Sequence, residues 1–429
     1  MIENRKKGKW SFIKDPIFGY INISYDEKKI IDAEPVQRLR RIRQLAGSEY
    51  VYPAGVHTRF EHSLGTMYLA EQLLNSLAQK VEIDPLEITM AKIASLLHDV
   101  GHGPYSHIFE ALLLRHLEKT HEDFTSWMIR NSELNDIIST LGLDTEKIAR
   151  LAVGKLEEKN RLFLDQIISS AVDVDKFDYC LRDSYHTGGD FGSIDIFRLI
   201  YTMDLLDENL AVNLNSISTL ETFFVARLEL FKTIYFHKAS RAAQIMLETA
   251  MEKANEQLEF MNFESVYDYL KLDDYTMWTM LEQCEASKEI INCLKNRKLL
   301  KVAYERISFA KDEAFSTIIT KDKIRHEIEG EVAEKAGVER EKVYIDVPTL
   351  PSVPYHHSIS LEPMEIPIFQ VTQEGEKVPR SLSEVSNIVE VMKGFLNIIR
   401  VYTDKDNREA VAKATEKVLG LPYSAKISY

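Results

Sequence analysis

The chain has 429 residues and a formal net charge of −14, because 67 acidic residues outnumber 53 Lys and Arg. This charge argues against a surface that coats nucleic acid or an anionic membrane. The three cysteines form no CxxC pair, no run of 18 apolar residues is present, and the basic N-terminus lacks an apolar stretch. We therefore expect a cytoplasmic protein with no disulfide framework, membrane span or signal peptide.

The first elements in the chain are a predicted hairpin followed by helices. Residues 11–26 place Pro16 and Gly19 beside the β-branched and aromatic run YINIS, which predicts a short strand or hairpin. Helical periodicity dominates residues 60–300; in Thr89–Val100, for example, apolar side chains recur every three or four residues. Ser218–Lys253 predicts one or two long helices.

The composition changes near residue 300, where short strands begin to alternate with helices. This order suits a small antiparallel sheet with helices on one face, and the proline-rich segment 348–363 predicts a loop or edge. We expect a mainly α-helical protein, with a catalytic helical body at residues 1–300 and a smaller α+β module at 301–429 that serves assembly or regulation. The predicted elements of the module are strand Val302–Ile307, helix Asp322–Ala336, strands Lys342–Val347 and Met364–Val371, helix Leu382–Phe395, strand Leu396–Tyr402 and helix Arg408–Leu419.

Histidines are concentrated in one part of the helical body. Seven of the 12 fall between residues 57 and 121, where an even spread would place about two. Histidine is a mediocre core residue, but it suits metal binding and acid–base chemistry near neutral pH. The seven are His57, His62, His98, His102, His107, His116 and His121.

The segment SLLHDVGH, residues 95–102, predicts a metal site at a helix end. Adjacent residues point about 100° apart on a helix, so His98 and Asp99 can bind one ion only beside the helix end, with ligands from elsewhere. His62 is the upstream candidate. The fourth ligand is expected from a later helix at residues 165–183, on which Asp175 begins a polar stripe. A solvated stripe is the alternative, but the segment is too apolar to be mostly exposed.

These residues resemble the H…HD…D signature of the HD-domain metal-dependent phosphohydrolases, read here as His62, His98–Asp99 and Asp175. The segments DPIFGYI, EPVQRLRRIRQLAG, YPAGVHTRFEHSLG, LLHDVGHGPYSHIFE and DVDKFDYCLRD resemble the deoxynucleoside triphosphate triphosphohydrolase branch of that superfamily. The resemblance implies hydrolysis of a deoxynucleoside triphosphate (dNTP) to a deoxynucleoside and inorganic triphosphate. It also implies one divalent ion, and Mn, Mg, Fe, Ni and Zn are not distinguished.

The resemblance further assigns roles around the substrate. Five residues would lie at the sugar or base: Gln44, Leu45, Tyr179, Asp183 and Tyr235. Six would surround the triphosphate: Arg59, His102, His107, His121, Lys176 and Arg227. A histidine held near a carboxylate can protonate the leaving 5′ oxygen, so the catalytic set is His102, His107, His121, Glu110 and Glu122. We expect His107 to be the acid and His121 its helper, although the sequence does not settle the order.

Regulation and assembly are also implied by the resemblance. The residues that match a guanine-nucleotide activator site are Asp32, Gln37, Arg40, Val51 and Tyr52, but Ser11 stands where the family has a lysine. The alternative is that the arginines of residues 38–43 form a structural basic helix. We expect a homo-oligomer, either a dimer or a tetramer. The alternative functions are a phosphohydrolase for a nucleoside monophosphate or signalling nucleotide, and a non-catalytic nucleotide-responsive binding protein.

Overall fold

Helices form most of the described chain, which comprises residues 11–191, 194–310, 322–351, 367–392 and 395–421 of a computed structural model. The predicted mainly α-helical class is confirmed. None of the helices in these ranges combines the length and apolarity needed to cross a bilayer. In chain order the helices are α1 (Tyr25–Ile31), α2 (Glu34–Arg38), α3 (Arg59–Leu77), α4 (Pro85–Leu97), α5 (His107–Leu117), α6 (His121–Asn131), α7 (Glu133–Thr140), α8 (Thr145–Leu151), α9 (Leu162–Ile168), α10 (Val174–Thr187), α11 (Ile196–Thr202), α12 (Ile217–Leu230), α13 (Lys238–Leu258), α14 (Val266–Leu270), α15 (Asp274–Gln283), α16 (Glu285–Lys295), α17 (Asp322–Ala336), α18 (Leu382–Val385), α19 (Asn387–Met392) and α20 (Arg408–Leu419).

The strands of the described residues form three small sheets. The first is the predicted N-terminal hairpin, in which Gly19 turns the chain at a φ of +78° that favours glycine. The others have the orders β5-β10-β6, with β7 also pairing β10, and β3-β4-β8-β9. The strands are β1 (Ser11–Asp15), β2 (Gly19–Ile23), β3 (Asp204–Leu206), β4 (Asn209–Asn213), β5 (Lys301–Ala310), β6 (Tyr344–Asp346), β7 (Thr349–Pro351), β8 (Ile368–Val371), β9 (Lys377–Arg380) and β10 (Phe395–Thr403).

Helix α3 is the central element of the helical body, because it packs against both α4 and α10. Most of its side chains are buried, polar ones such as Ser63 and Thr66 included. Helix α4 starts at a capping box on Asp84 with Pro85 in its first turn, and it ends with His98 as its C-cap, as the sequence predicted. The end of α4 therefore lies in the protein interior beside the first turn of α3, where His62 lies 3.6 Å from Asp99.

The prediction of a single helix at residues 165–183 is wrong. Helix α9 ends at Ile168 and α10 begins at Val174. The reason is local capping: the buried Asp173 carboxylate accepts from the Ser170 and Lys176 N–H groups, both at 2.8 Å, in place of helical bonds. The break places Asp175 in the first turn of α10. The polar stripe does face inward at Arg182 and Asp183, which are buried.

The C-terminal region contains the predicted antiparallel sheet, in which β10 pairs with β5, β6 and β7. Helices α17 and α20 pack together, and Val332, Val401 and Val411 belong to one buried cluster between these elements. Helices α17 and α20 match the predicted bounds, whereas the helix predicted at 382–395 is divided into α18 and α19 at Ser386. Most of segment 348–363 and the start of the strand predicted at 364–371 lie outside the described residues.

The third sheet was not predicted, because its strands are short and separated in sequence. The β3–β4 hairpin lies within the region of helical periodicity, and β4 pairs in parallel with β8 across more than 150 residues. Strand β9 then pairs with β8. This sheet joins residues from both sides of the boundary expected at residue 300. Periodicity cannot reveal such a pairing, since parallel partners are chosen by tertiary contacts.

Candidate active site

Two histidines and two aspartates from separate elements converge in the interior. His62 lies on α3, His98 and Asp99 follow α4, and Asp175 opens α10. His62 Nε2 lies 3.0 Å from Asp175 Oδ1 and 3.6 Å from Asp99 Oδ2. His98 Nε2 lies 3.4 Å from Asp99 Oδ1 and 3.8 Å from Asp175 Oδ1. Ligand atoms about 2.1 Å from one ion lie about 3.0 to 3.5 Å apart, so these spacings suit a single shared cation.

The donor atoms of this cluster fit a divalent metal. The Nε2 atoms of His62 and His98 are buried and make no hydrogen bond within the described ranges. Burial alone would lower the pKa of His62, but the nearby carboxylates of Asp175, Asp178 and Asp99 outweigh it and raise this pKa to about 10. Carboxylates that favour a proton on His62 this strongly also favour a metal cation in place of that proton. We therefore regard the cluster of His62, His98, Asp99 and Asp175 as a candidate metal centre.

A second layer of buried charges holds the His62 ring. Asp178 Oδ2 lies 2.7 Å from His62 Nδ1, and Arg182 donates to both oxygens of Asp178 at 2.8 and 2.9 Å. Arg182 also donates to Asp15 of the hairpin at 2.8 Å. Gly65 leaves space for these charged side chains, since a Cβ at this position would lie 1.8 Å from Asp178 Oδ1. We missed Asp178 in the sequence, although its spacing of three residues after Asp175 places both on one helical face.

A histidine group lies beside the metal cluster and is bridged by Glu110. Glu110 Oε2 lies 3.0 Å from His107 Nδ1, and its Oε1 contacts His121 Nδ1 and accepts from the His121 N–H at 3.1 Å. Burial favours the neutral acid, but these histidines hold the pKa of Glu110 well below its usual range. The other predicted carboxylate, Glu122, pairs with Lys155 at 2.7 Å and is not brought into this group.

His102 connects the histidine group to the metal cluster. Its Nε2 lies 3.3 Å from Asp99 Oδ1, and its ring stacks on His121 with centroids 4.0 Å apart and planes at 14°. Imidazole lone pairs lie in the ring plane, so two stacked rings cannot both direct them at one ion between them. Burial, Arg59 and His121 hold the pKa of His102 well below its ordinary value. The stacked pair therefore does not suit a second metal site.

A cavity of about 380 Å³ opens beside these groups, within the size range of small-molecule sites. Aromatic rings form one part of its wall: the centroid of Phe231 lies 4.6 Å from that of Tyr235 and 5.5 Å from that of Phe236. Phe231 and Tyr235 belong to a π-helical turn between α12 and α13. Seven predicted site residues line the cavity: Gln44, Leu45, Arg59, His107, Tyr179, Asp183 and Tyr235.

Two residues predicted to bind the triphosphate, Lys176 and Arg227, contact protein side chains in this structure. Lys176 Nζ pairs with Asp173 at 2.8 Å, and Arg227 donates from Nε to the Tyr179 hydroxyl at 3.0 Å. Arg59 is placed differently: its Nε donates to Ser106 Oγ at 2.6 Å, its Nη1 donates to the metal ligand Asp99, and it lines the cavity. Arg59 thus connects the metal cluster with the cavity.

Asp183 is held in the cavity wall by two partners, the half-buried Tyr235 and the buried His57. The Tyr235 hydroxyl donates to Asp183 Oδ2, and His57 Nε2 lies 2.8 Å from Asp183 Oδ1. His57 in turn stacks on His186, with ring centroids 4.4 Å apart. The sequence predicts no catalytic role for His57 and places it at the surface or next to the site residues; the structure buries it. The pattern of the sequence gave no sign of this contact, which depends on the packing of α3 against α10.

The residues of the expected activator site fall into two groups: Asp32, Gln37 and Arg40 in the first, and Val51 and Tyr52 in the second. Asp32 lies 3.9 Å from Lys28, and Gln37 Oε1 accepts from Arg40 at 2.9 Å. Tyr52, which follows Val51, donates to the Thr233 carbonyl at 2.6 Å. Across the described ranges no hydrogen bond or ion pair joins the two groups. Among the neighbouring arginines, Arg38 is fully buried and donates to the carbonyls of Leu272 and His102, both at 2.8 Å, which is a structural role.

Comparison with known families supports the reading of the metal cluster. Residues 59–183 match the HD domain, and residues 194–428 match the HD associated region. The chain belongs to the HD-domain family of phosphohydrolases, whose members bind a divalent metal. The family predicted from the sequence is therefore confirmed.

Relatives and a solved structure agree with this family. The chain is 29% identical to an uncharacterised protein of Methanocaldococcus jannaschii, over 89% of this chain and 76% of that one. It is 32% identical to the deoxynucleoside triphosphate triphosphohydrolase SAMHD1 homolog of Dictyostelium discoideum, over 75% of this chain. The chain spans 63% of the length of that relative. A hypothetical protein of Aquifex aeolicus has the same fold, with a TM-score of 0.76 and 27% identity over 95% of this chain and all of that one.

Proposed function

We propose that the protein hydrolyses dNTPs to deoxynucleosides and inorganic triphosphate with one bound divalent metal ion. The observation that carries the proposal is the double contact of Arg59, which lines the cavity and donates to Asp99 of the metal cluster. An arginine in this place can bind a phosphate next to the ion. The triphosphohydrolase activity in the name of the Dictyostelium relative supports the same substrate class.

The charges of the site suit a triphosphate. Such a ligand carries up to about four negative charges, which must be offset when it leaves water. Arg59 and the N–H donors of His102 and His121 supply part of that offset, and Lys176 and Arg227 remain proposed contributors. Bound to His62, His98, Asp99 and Asp175, the metal ion would lower the pKa of a water molecule and polarise the α-phosphoryl group.

We assign the proton donor for the leaving 5′ oxygen to His107. Its side chain is 72% exposed and lines the cavity, whereas that of His121 is 24% exposed and packs on His102. Glu110 holds both imidazoles and orients them. A group open to the ligand and steered by a carboxylate is the arrangement that general acid catalysis requires.

The sugar and base would lie against the remaining cavity wall. Tyr179 and Asp183 offer a hydroxyl and a carboxylate to the deoxyribose, with Gln44, Leu45 and Tyr235 as neighbours. Phe231 and Phe236 offer stacking rather than hydrogen bonds to the base. We therefore expect similar activity on all four dNTPs.

Activation by a guanine nucleotide and assembly are part of the proposal. A second cavity, of about 560 Å³, is lined by four basic residues (Lys238, Arg297, Lys301 and Arg408) and two acidic ones (Glu305 and Glu416). The excess of basic residues supports an anionic ligand outside the active site. Arg297 on its wall donates to the carbonyl of Tyr50, next to the proposed activator residues Val51 and Tyr52. We propose that the module from residue 301 onward serves assembly into a dimer or tetramer.

The test is a panel of dNTPs and NTPs with Mn²⁺ or Mg²⁺, each alone and with added GTP or dGTP. Chromatography should detect inorganic triphosphate from the dNTPs, and His98→Ala and Asp99→Ala should abolish its release because they remove metal ligands. Release of pyrophosphate or orthophosphate alone would contradict the proposed bond cleavage. Hydrolysis restricted to a nucleoside monophosphate or a signalling nucleotide would instead indicate another phosphohydrolase.

A further inference from the structure

The turn that begins α5 is built from two non-glycine residues in left-handed backbone conformations. Tyr105 has a φ of 57°, and Ser106 has a φ of 57° with a ψ of −116°. Side chains disfavour these conformations because Cβ crowds the backbone, so such a turn persists only where contacts hold it from several sides. His107 follows directly as the first residue of α5. The place of its imidazole therefore depends on what holds the turn.

The contacts that hold the turn come mainly from Asp274 at the start of α15. Its Oδ1 accepts from the Tyr105 N–H at 2.7 Å, and its Oδ2 accepts from the Arg43 N–H at 3.0 Å. Its backbone carbonyl accepts from the Tyr105 hydroxyl at 3.0 Å. Ser106 Oγ donates to the Arg43 carbonyl at 2.9 Å, which closes the ring of contacts. One carboxylate thus ties the turn before His107 to the segment around Arg43.

The chemistry of Asp274 differs from that of its neighbour Asp273. Asp273 caps α15 and pairs with Arg41, which is a structural role. The carboxylate of Asp274 is buried against backbone N–H groups instead, and burial raises its pKa to about 6 even though those N–H groups lower it. Helix α15 is already capped by Asp273. The buried carboxylate of Asp274 therefore stabilises the turn before α5 rather than its own helix.

We propose that Asp274 is a positioning residue for His107, because its carboxylate holds the left-handed turn of Tyr105 and Ser106 against Arg43. The inference rests on the proposed function, in which His107 protonates the leaving oxygen. His107 Nδ1 lies 3.0 Å from Glu110 Oε2, and release of the turn would move the imidazole away from this carboxylate. A displacement of about 1 Å at a reacting group can cost about a hundredfold in rate.

The experiment compares Asp274→Asn with Asp273→Asn in the full-length, metal-loaded enzyme. Asp274→Asn keeps the size of the side chain but leaves one of the two backbone N–H groups facing an amide N–H₂. We expect kcat for a dNTP to fall about 30- to 100-fold with KM changed less than about threefold. Asp273→Asn should lower the melting temperature but keep kcat within about threefold. An unchanged kcat in Asp274→Asn would overturn the inference.

A double-mutant cycle shows whether Asp274 acts through His107. In a His107→Ala background, adding Asp274→Asn should cause no further loss of kcat, because the group that it positions is gone. Losses that multiply would indicate a general structural effect and would contradict the proposal.

Hydrogen exchange followed by mass spectrometry gives a readout that does not need activity. The amide of Tyr105 or that of Arg43 should exchange at least about tenfold faster in Asp274→Asn than in the wild type or Asp273→Asn, since one of the two loses its acceptor. Unchanged exchange at both amides would overturn the inference. If the wild-type protein releases no triphosphate from any nucleotide, the proposed function fails, and exchange still decides whether Asp274 holds the turn.

Discussion

The Asp178 carboxylate lies 2.7 Å from Nδ1 of His62, on the side of the ring opposite the Nε2 atom that faces the metal cluster. This contact orients the imidazole and makes Nε2 a better ligand, as carboxylate partners of metal-binding histidines commonly do. We predict that Asp178→Asn lowers the affinity for Mn²⁺ by about 10- to 100-fold, measured by titration calorimetry. Asp165→Asn is the matched control, because Asp165 is also buried but accepts from the N–H groups of Leu156 and Glu157. Equal affinities in both variants would contradict the prediction.

Gly65 is required by the same buried charges. A Cβ at this position would lie 1.8 Å from Asp178 Oδ1 and 2.5 Å from Arg182 Nη2. We predict that Gly65→Ala lowers the free energy of unfolding by about 1–3 kcal/mol and weakens Mn²⁺ binding, because the ion pair must move. Gly330→Ala, in α17 with no neighbour within 4 Å, should raise that free energy by about 0.5–1 kcal/mol. Urea denaturation of the two variants checks both values.

His57 should affect substrate binding through Asp183. Its Nε2 lies 2.8 Å from Asp183 Oδ1 in the wall of the cavity, and both side chains are buried. Without this donor, Tyr235 is the remaining side-chain partner of the carboxylate among the described residues, so His57→Phe should raise KM for a dNTP about tenfold and change kcat less. His116→Phe is the control, since His116 pairs with Glu252 outside the cavity. Steady-state kinetics showing the same KM for wild type and His57→Phe would refute the assignment.

The stability of the protein should depend on Glu110 in acid. Hydrogen bonds with His107 and His121 hold the pKa of Glu110 well below its unfolded value of about 4.3. The folded state therefore binds fewer protons at this carboxylate than the unfolded state does, and the stabilisation is present above about pH 4.3 and lost as the pH falls. We predict that Glu110→Gln unfolds more easily than wild type at pH 7 and that the difference shrinks below about pH 4. Urea denaturation across this range tests the sign.

The family, the helical class and the segments that carry the candidate metal ligands could all be predicted from the sequence. Those ligands stand in local motifs, such as the helix end at His98–Asp99, whose spacing is set by chain geometry. The C-terminal helices α17 and α20 could also be predicted to the residue, because helical periodicity is a local property.

Tertiary structure alone decided which charged groups meet. Three contacts join segments that lie far apart in the sequence: Asp178 with His62, His57 with Asp183, and Asp274 with the turn at Tyr105. The third sheet and the break between α9 and α10 depend likewise on pairing and capping rather than on periodicity. Local pattern places a residue on one face of its own helix, but only packing selects the partner that this face meets.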